Sequence, residues 1–294
     1  MLESSAEYTF ANLSLLFGLA VLSACGRAQV AEQSLSHSEG SLSLPRAISE
    51  AREPPAHAGG RVSVLSYNVN YGVAGAAELE RIVREADADL VLLQETNRET
   101  ERALGDLARE RYPEARYHHP VKLLPEGLAV LSKLPIEEDE LIASPVDWFP
   151  ANRLVLRASW GRFEAVNTHL RPAISDSGSW VVGYFSTGHY RAKEMKQYVA
   201  HLDSELPTFF AGDFNENDDG DAISMLRERG FSPAVATTSP SATTWRWIGG
   251  SAPLELRLDD VVAEDSGFKV VSAEVLRAGL SDHFPVKVVL ESKR

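Results

Sequence analysis

Asn68, Glu95, His169, Asp213, Asn215, Asp259, Asp282 and His283 have one thing in common: each stands at an end of a short apolar run. Ser66-Tyr67-Asn68-Val69 follows Val62–Leu65, Gln94-Glu95-Thr96 follows Leu90–Leu93, and Asn167-Thr168-His169-Leu170 follows Phe163–Val166. Gly212-Asp213-Phe214-Asn215 follows Thr208–Ala211, Arg257-Leu258-Asp259 leads into Asp260–Ala263, and Ser281-Asp282-His283 precedes Phe284–Leu290. Short apolar runs punctuated by polar residues read as buried strands. If those strands lie side by side, their ends converge on a pocket suited to hard cations and proton transfer. Phosphoester hydrolysis needs such a pocket. Its substrate is anionic and its leaving alkoxide poor, so charge must be neutralised, water activated and the leaving oxygen stabilised.

Each residue suggests a part. Glu95 ends an all-apolar run, where a carboxylate is costly unless a cation partners it. Mg²⁺, Mn²⁺ or Ca²⁺ would suit it, since all prefer oxygen ligands. The alternative is an acid opening the next helix, with Thr96 as cap. His283 titrates near ~6.5 when unperturbed, so a neutral imidazole is available as general base. Asp259 or Asp260 could orient it. Asp213 and Asn215, two apart on an extended segment, should point to the same side. Asp213 could then orient the attacking water or protonate the leaving oxygen, and Asn215 could hold a phosphate oxygen. A calcium loop over Asp213–Asp221 is the local rival, but it lacks EF-hand spacing and the terminal Glu.

The elements that must carry these residues alternate. Ala76–Ala86, Arg98–Arg111, Tyr190–Leu206 and Asp221–Arg229 have helical spacing, with Met195, Tyr198, Val199 and Leu202 facing inward on the third. Leu154–Trp160 and Phe163–Asn167 flank Gly161-Arg162, which reads as a two-residue hairpin turn. The pattern predicts one mixed α/β domain. With 44% hydrophobic and 24% charged residues in 294, the chain can bury a sizeable core. Its net charge of −13 argues against binding nucleic acid through a broad basic surface. It leaves room for a nuclease, because a bound cation adds local positive charge.

The six motifs in this order, with Gly127-Leu128-Ala129-Val130-Leu131-Ser132 between them, resemble the endonuclease/exonuclease/phosphatase superfamily over roughly Arg61 to Leu290. The resemblance implies an α/β (α+β) fold, a four-layer α/β/β/α sandwich of two mainly antiparallel sheets. It implies a divalent-metal-dependent phosphoesterase using Mg²⁺ (or Mn²⁺/Ca²⁺), with Asn68, Glu95 and Asp282 holding the metal. It implies catalytic roles for His283, Asp259, Asp213, Asn215 and His169, the last as phosphate contact or general acid. The family pattern puts Asp259, not Asp260, beside His283, although Asp260 stands where an aromatic residue is usual. A nuclease is slightly favoured by the superfamily's membership. A phospholipid or inositol-phosphate hydrolase is the alternative favoured by acidic charge, and a non-catalytic binding protein is a third reading.

Substrate choice should lie in two segments. Arg171–Tyr190 is a long Gly/Ser-rich insertion after His169, whose Arg171 and Arg191 could grip phosphate. Thr243–Ile248 carries Trp245 and Trp247, which could stack on a base, meet a membrane interface or pack in the core; Val146–Phe149 poses the same choice. Upstream, Leu13–Ala24 has the length of a secretory apolar region and ends in Leu22-Ser23-Ala24-Cys25, which resembles a bacterial lipobox. Its leading segment carries Glu3 and Glu7 but no Lys or Arg. The expectation is a lipoprotein signal over 1–24, lipidation at Cys25, a flexible tether over 25–60 rich in Ser, Ala, Gly and Pro, and a catalytic domain over 61–294. The product would be a monomer exported and anchored in the bacterial envelope, on the outer membrane if Gram-negative since Gly26 follows the cysteine.

Overall fold

The computed structural model of the chain describes residues 60–119, 127–175, 178, 182–183, 186–247 and 254–294. The expected signal, Cys25 and nearly all of the expected tether lie outside them. Two six-stranded sheets pack face to face. The first contains β1 (Arg61–Asn68), β2 (Leu90–Thr96), β3 (Glu114–His118), β4 (Gly127–Ser132), β13 (Phe268–Val275) and β14 (Val286–Ser292), in the order β13-β14-β1-β2-β4-β3. The second contains β5 (Ile136–Ile142), β6 (Ala151–Ala158), β7 (Gly161–His169), β8 (Thr208–Asp213), β9 (Phe231–Pro233) and β12 (Asp259–Glu264), in the order β5-β6-β7-β8-β12-β9. A ribbon of β10 (Trp245–Arg246) and β11 (Glu255–Leu256) stands beside them. Most neighbours are antiparallel; β1–β2 and β7–β8 are parallel.

Alternation along the strands explains the layers. Val62 and Val64 of β1, Leu90 and Leu92 of β2, Phe163 and Ala165 of β7, Phe209 and Ala211 of β8, and Val261 and Ala263 of β12 share the core between the sheets. The opposite residues face helices. Leu65, Tyr67, Val91 and Leu93 pack under α1 (Ala76–Ala86) and α2 (Arg98–Arg111). Val166, Phe210 and Val262 pack under α3 (Gly188–Val199) and α4 (Asp221–Arg227). This is the expected α/β/β/α sandwich. Near one end of the core the packing turns polar: Gln94 Nε2 donates to Asn167 Oδ1 at 2.8 Å, and Asn167 Nδ2 to the Leu93 carbonyl at 3.1 Å. Both side chains are fully buried, so these bonds fasten the two sheets directly beneath the polar strand ends.

Three local expectations shift. The β6–β7 turn is Ser159–Trp160, because Ala158 pairs with Gly161 and Arg157 with Arg162; Gly161 and Arg162 already lie in β7. The third helix begins at Gly188 and ends at Val199, leaving Leu202 in the turns beyond. The cap of α2 is Asn97, whose Oδ1 accepts from the Glu99 and Thr100 N–H groups at 2.9 Å, rather than Thr96.

Candidate active site

The strand ends meet as expected, and alternation decides which side chains enter. Asp259 lies on the same face of β12 as Val261 and Ala263, toward the inter-sheet layer, and pairs across the ladder with Asp213 of β8. His283 lies against it: Nδ1 is 2.8 Å from Asp259 Oδ2 and 3.1 Å from Oδ1. Asp260 faces the other way. It accepts from the N–H groups of Val235 at 2.8 Å and Ala236 at 3.2 Å, capping α5 (Ala234–Thr238) from a neighbouring strand. Asp259 is therefore the partner of His283, with its N–H fixed by Thr244 Oγ1 at 2.9 Å.

Glu95 reaches the pocket through a break in the strand. By alternation it would follow Val91 and Leu93 toward the helices. A bulge between Gln94 and Thr96, with Glu95 at φ 55°, re-aims it. Gly127 opposite makes the bulge possible, since a Cβ there would lie 2.1 Å from the Thr96 carbonyl oxygen. Gly212 serves Asp213 similarly: its φ is 147°, and a Cβ would meet the Thr168 carbonyl at 1.9 Å.

Asn68 joins the two acids. Its Oδ1 takes the Asn70 N–H at 3.0 Å, which turns Nδ2 toward Glu95 Oε1 at 3.0 Å and Asp213 Oδ2 at 3.1 Å. The Asn68 oxygen, expected to hold the metal, thus accepts one backbone N–H, and the nitrogen is the atom turned to the two acids. Asp282 is gripped on both oxygens, by Asn70 Nδ2 at 2.6 Å and Trp245 Nε1 at 2.9 Å. His169 Nε2 lies 3.7 Å from both Glu95 Oε1 and Asp213 Oδ2, and His283 Nε2 lies 3.6 Å from Asp213 Oδ2. These separations exceed hydrogen bonds, so the two imidazoles and two carboxylates surround a small space. Asn215 departs from the same-side expectation. The strand ends at Asp213, Asn215 takes φ 51°, its N–H donates to Asp213 Oδ1 at 2.8 Å and its amide to the Leu170 carbonyl at 2.8 Å.

Burial sets the electrostatics. Desolvation pushes the Glu95 carboxyl up to about 7, against the Asn68 hydrogen bond that favours its charge. It raises Asp213 in the same direction, assisted by the charge of Asp259. His169 is pushed down to about 3 by burial and by nearby His283, so it is neutral at physiological pH. Burial also works to lower His283, but Asp259 and Asp213 outweigh it and hold the imidazole well above its ordinary value. The donors fit a hard divalent cation: oxygens of Glu95 and Asp213 crowd one amide in a buried pocket, and potential ligand atoms of Asp213, Asp259 and His283 lie within 4.8 Å of one another.

The remaining predicted residues are placed differently. Arg191 does not face the pocket. It is 3% exposed, donates from Nε to Glu216 Oε2 at 2.8 Å, and lies inside the fold as half of a buried ion pair, correcting its expected substrate contact. Arg171 stacks over the Tyr190 ring at 4.6 Å. Glu216 is bound to Arg191 and Asp218 to Arg257, an arrangement unlike a calcium loop. Trp245 is buried and serves Asp282, while Phe149 stacks on His169 at 4.7 Å and 14° with Trp148 at its edge. Sequence reasoning missed two site residues, Asn70 and Thr244. Asn70 had a weak signal, an αL-tolerant residue type two after Asn68, and Thr244 had none.

The model of the Endonuclease/Exonuclease/phosphatase family matches residues 65–283, more than half of the chain. The chain belongs to this family. Solved structures of other proteins share its fold. An endonuclease/exonuclease/phosphatase from Beutenbergia cavernae superposes with TM-score 0.64 at 18% identity, covering 79% of this chain and 72% of that one. D. rerio TDP2 complexed with single strand DNA product gives 0.63 at 15% identity, covering 79% and 99%. The human Nocturnin catalytic domain with bound sulfate anion gives 0.63 at 15%, covering 82% and 100%. No curated protein matches the chain.

Proposed function

We propose that this family member is a divalent-metal-dependent phosphoesterase that hydrolyses its substrate with activated water, a nucleic-acid phosphodiester being the first candidate. The observation that carries this reading is the His283–Asp259 pair, with Nδ1 held at 2.8 Å and Nε2 directed toward the Asp213 side of the pocket. A cation bound in the pocket would offset the carboxylate charge that raises His283, and in the neutral ring Nδ1–H then donates to Asp259 and leaves Nε2 to take a proton from water. Attack on phosphorus then needs a proton for the leaving oxygen. Asp213, raised by burial, is suited to hold it. His169, neutral through the physiological range, is suited to donate an N–H to a phosphate oxygen rather than to deliver a full proton. Glu95 would hold the cation, with Asp282 at the rim, and Asn68 brings Glu95 and Asp213 together. A bound cation supplies Lewis-acid stabilisation of negative charge on the phosphate. Arg171 would help hold the substrate, while Asn215, bonded to the Leu170 carbonyl, would brace the segment after Asp213.

A phospholipid or inositol-phosphate substrate is the second reading. It is favoured by the net charge of −13 and by exposed Tyr71, Val73 and Leu280 in the segments bearing Asn70 and Asp282. The test offers plasmid DNA, sphingomyelin and inositol phosphates in parallel, with Mg²⁺, Mn²⁺ or EDTA. We expect one class to be turned over, EDTA to abolish it, and His283→Ala to reduce kcat by about 10²–10⁴-fold. Unchanged turnover in His283→Ala would sink the mechanism, and turnover of none would favour a binding protein. Lipidation at Cys25 and export to the envelope belong to the same proposal. Labelled palmitate should enter the wild type and not Cys25→Ser, which should move to the soluble fraction.

A further inference from the structure

His169 faces the site without a hydrogen bond to either nearby acid, since both oxygens are 3.7 Å from its Nε2. Its place is set by the chain that carries it and by the Phe149 ring stacked on it. Both are tied to one face of α3. Tyr198 Oη donates to the Phe149 carbonyl at 3.1 Å. Glu194 Oε1 accepts from Ser144 Oγ at 2.9 Å, five residues before Phe149. Glu194 Oε2 accepts the N–H of Arg171 at 2.9 Å, two residues after His169, and Arg191 Nη1 donates to the Arg171 carbonyl at 3.3 Å.

Among the described residues, Glu194 is the side chain that accepts hydrogen bonds from both walls. Its side chain is fully buried, and its direct partners are a hydroxyl and a backbone N–H. Arg191, one turn earlier, is committed to Glu216 instead. A buried carboxylate without a bonded cation is an expensive way to fill space, so packing gives no reason for it. Two acceptor oxygens aimed at two loops do give one: few other side chains bridge two donors this way.

We propose that Glu194 is a positioning residue for His169, fixing the imidazole by holding the Arg171 segment and the Phe149 wall at a set separation. The catalytic consequence rests on the proposed phosphate contact of His169; the placement of the ring does not. The experiment uses the full chain and two readouts, the His169 ring resonances by NMR and steady-state kinetics. Glu194→Ala should shift the ring resonances and lower kcat about 10²-fold with KM little changed, the scale expected when a reacting group is misplaced by about 1 Å. Glu194→Gln can accept from Arg171 and donate to Ser144, so it should restore both readouts to within about threefold of wild type. Ser144→Ala, a milder change, should produce a smaller shift in the same direction, and it serves as the test if Glu194→Ala does not fold. Ring resonances unmoved in the folded Ala variants would overturn the proposal, as would Gln failing to rescue. If the wild type turns nothing over, the phosphoesterase reading fails while the resonances still decide this one.

Discussion

At the scale of single residues, adjacent aspartates have opposite fates. Asp259 and Asp260 differ by one position, and a strand sends alternate side chains to opposite faces. Asp259 therefore orients His283, while Asp260 caps α5 with a carboxyl that burial pushes up to about 7. Asp259→Asn should preserve folding and lower kcat by at least about 10²-fold, because an amide there no longer favours the needed imidazole tautomer. Asp260→Asn should keep kcat and cost about 1 kcal/mol of stability, the usual worth of a cap. Kinetics and urea melts on the pair check this. Equal loss of activity in both would refute the division.

At the scale of elements, the site depends on irregularities rather than on regular strand. Glu95 enters only because β2 bulges, and the bulge exists only because Gly127 of β4 lets Thr96 approach. Gly127→Ala should destabilise by about 1–3 kcal/mol, as overpacking does, and lower metal affinity by displacing Glu95. Mg²⁺ titration followed by thermal shift measures this directly. Affinity equal to wild type would show that Glu95 does not hold the cation. The β10–β11 ribbon acts similarly on the other side. Its Trp245 bonds Asp282 through Nε1, and its backbone pairs with His283.

At the scale of the whole molecule, buried acids couple stability to pH. Glu95, Glu194 and Asp260 are each pushed up to about 7 by burial, from ordinary values near ~4. Between those limits the folded state binds more protons than the unfolded one. Their contribution is therefore present at low pH and lost as pH rises through about 7. His283, also raised, acts in the same sense above its ordinary value. His169, pushed down to about 3, acts oppositely below its ordinary value near ~6.5 but is one group against three, and acids held low by arginines, such as Glu110, are exposed and count for little. The melting temperature in EDTA should fall from pH 5 to pH 8, and Mg²⁺ should recover part of that loss. A melting temperature that rises over this range would contradict the assignment.

The sequence by itself determined much of this. Period-two and helical spacing marked nearly every strand and helix near the site, because burial of one face leaves its imprint on residue order. Polar residues at the ends of apolar runs announced Asn68, Glu95, His169, Asp213, Asp259, Asp282 and His283, since little else tolerates a carboxylate at the edge of a core. What only the tertiary structure decided were matters of direction and partnership. The bulge aims Glu95 inward, left-handed backbone turns Asn215 toward Leu170, and the Asn70 N–H reverses the Asn68 amide. Arg191 and Glu216, 25 residues apart, meet in the interior, and Glu194 finds its donors on two separate loops. Local order carries no record of such pairings, because they form between segments that become neighbours only when the two sheets pack.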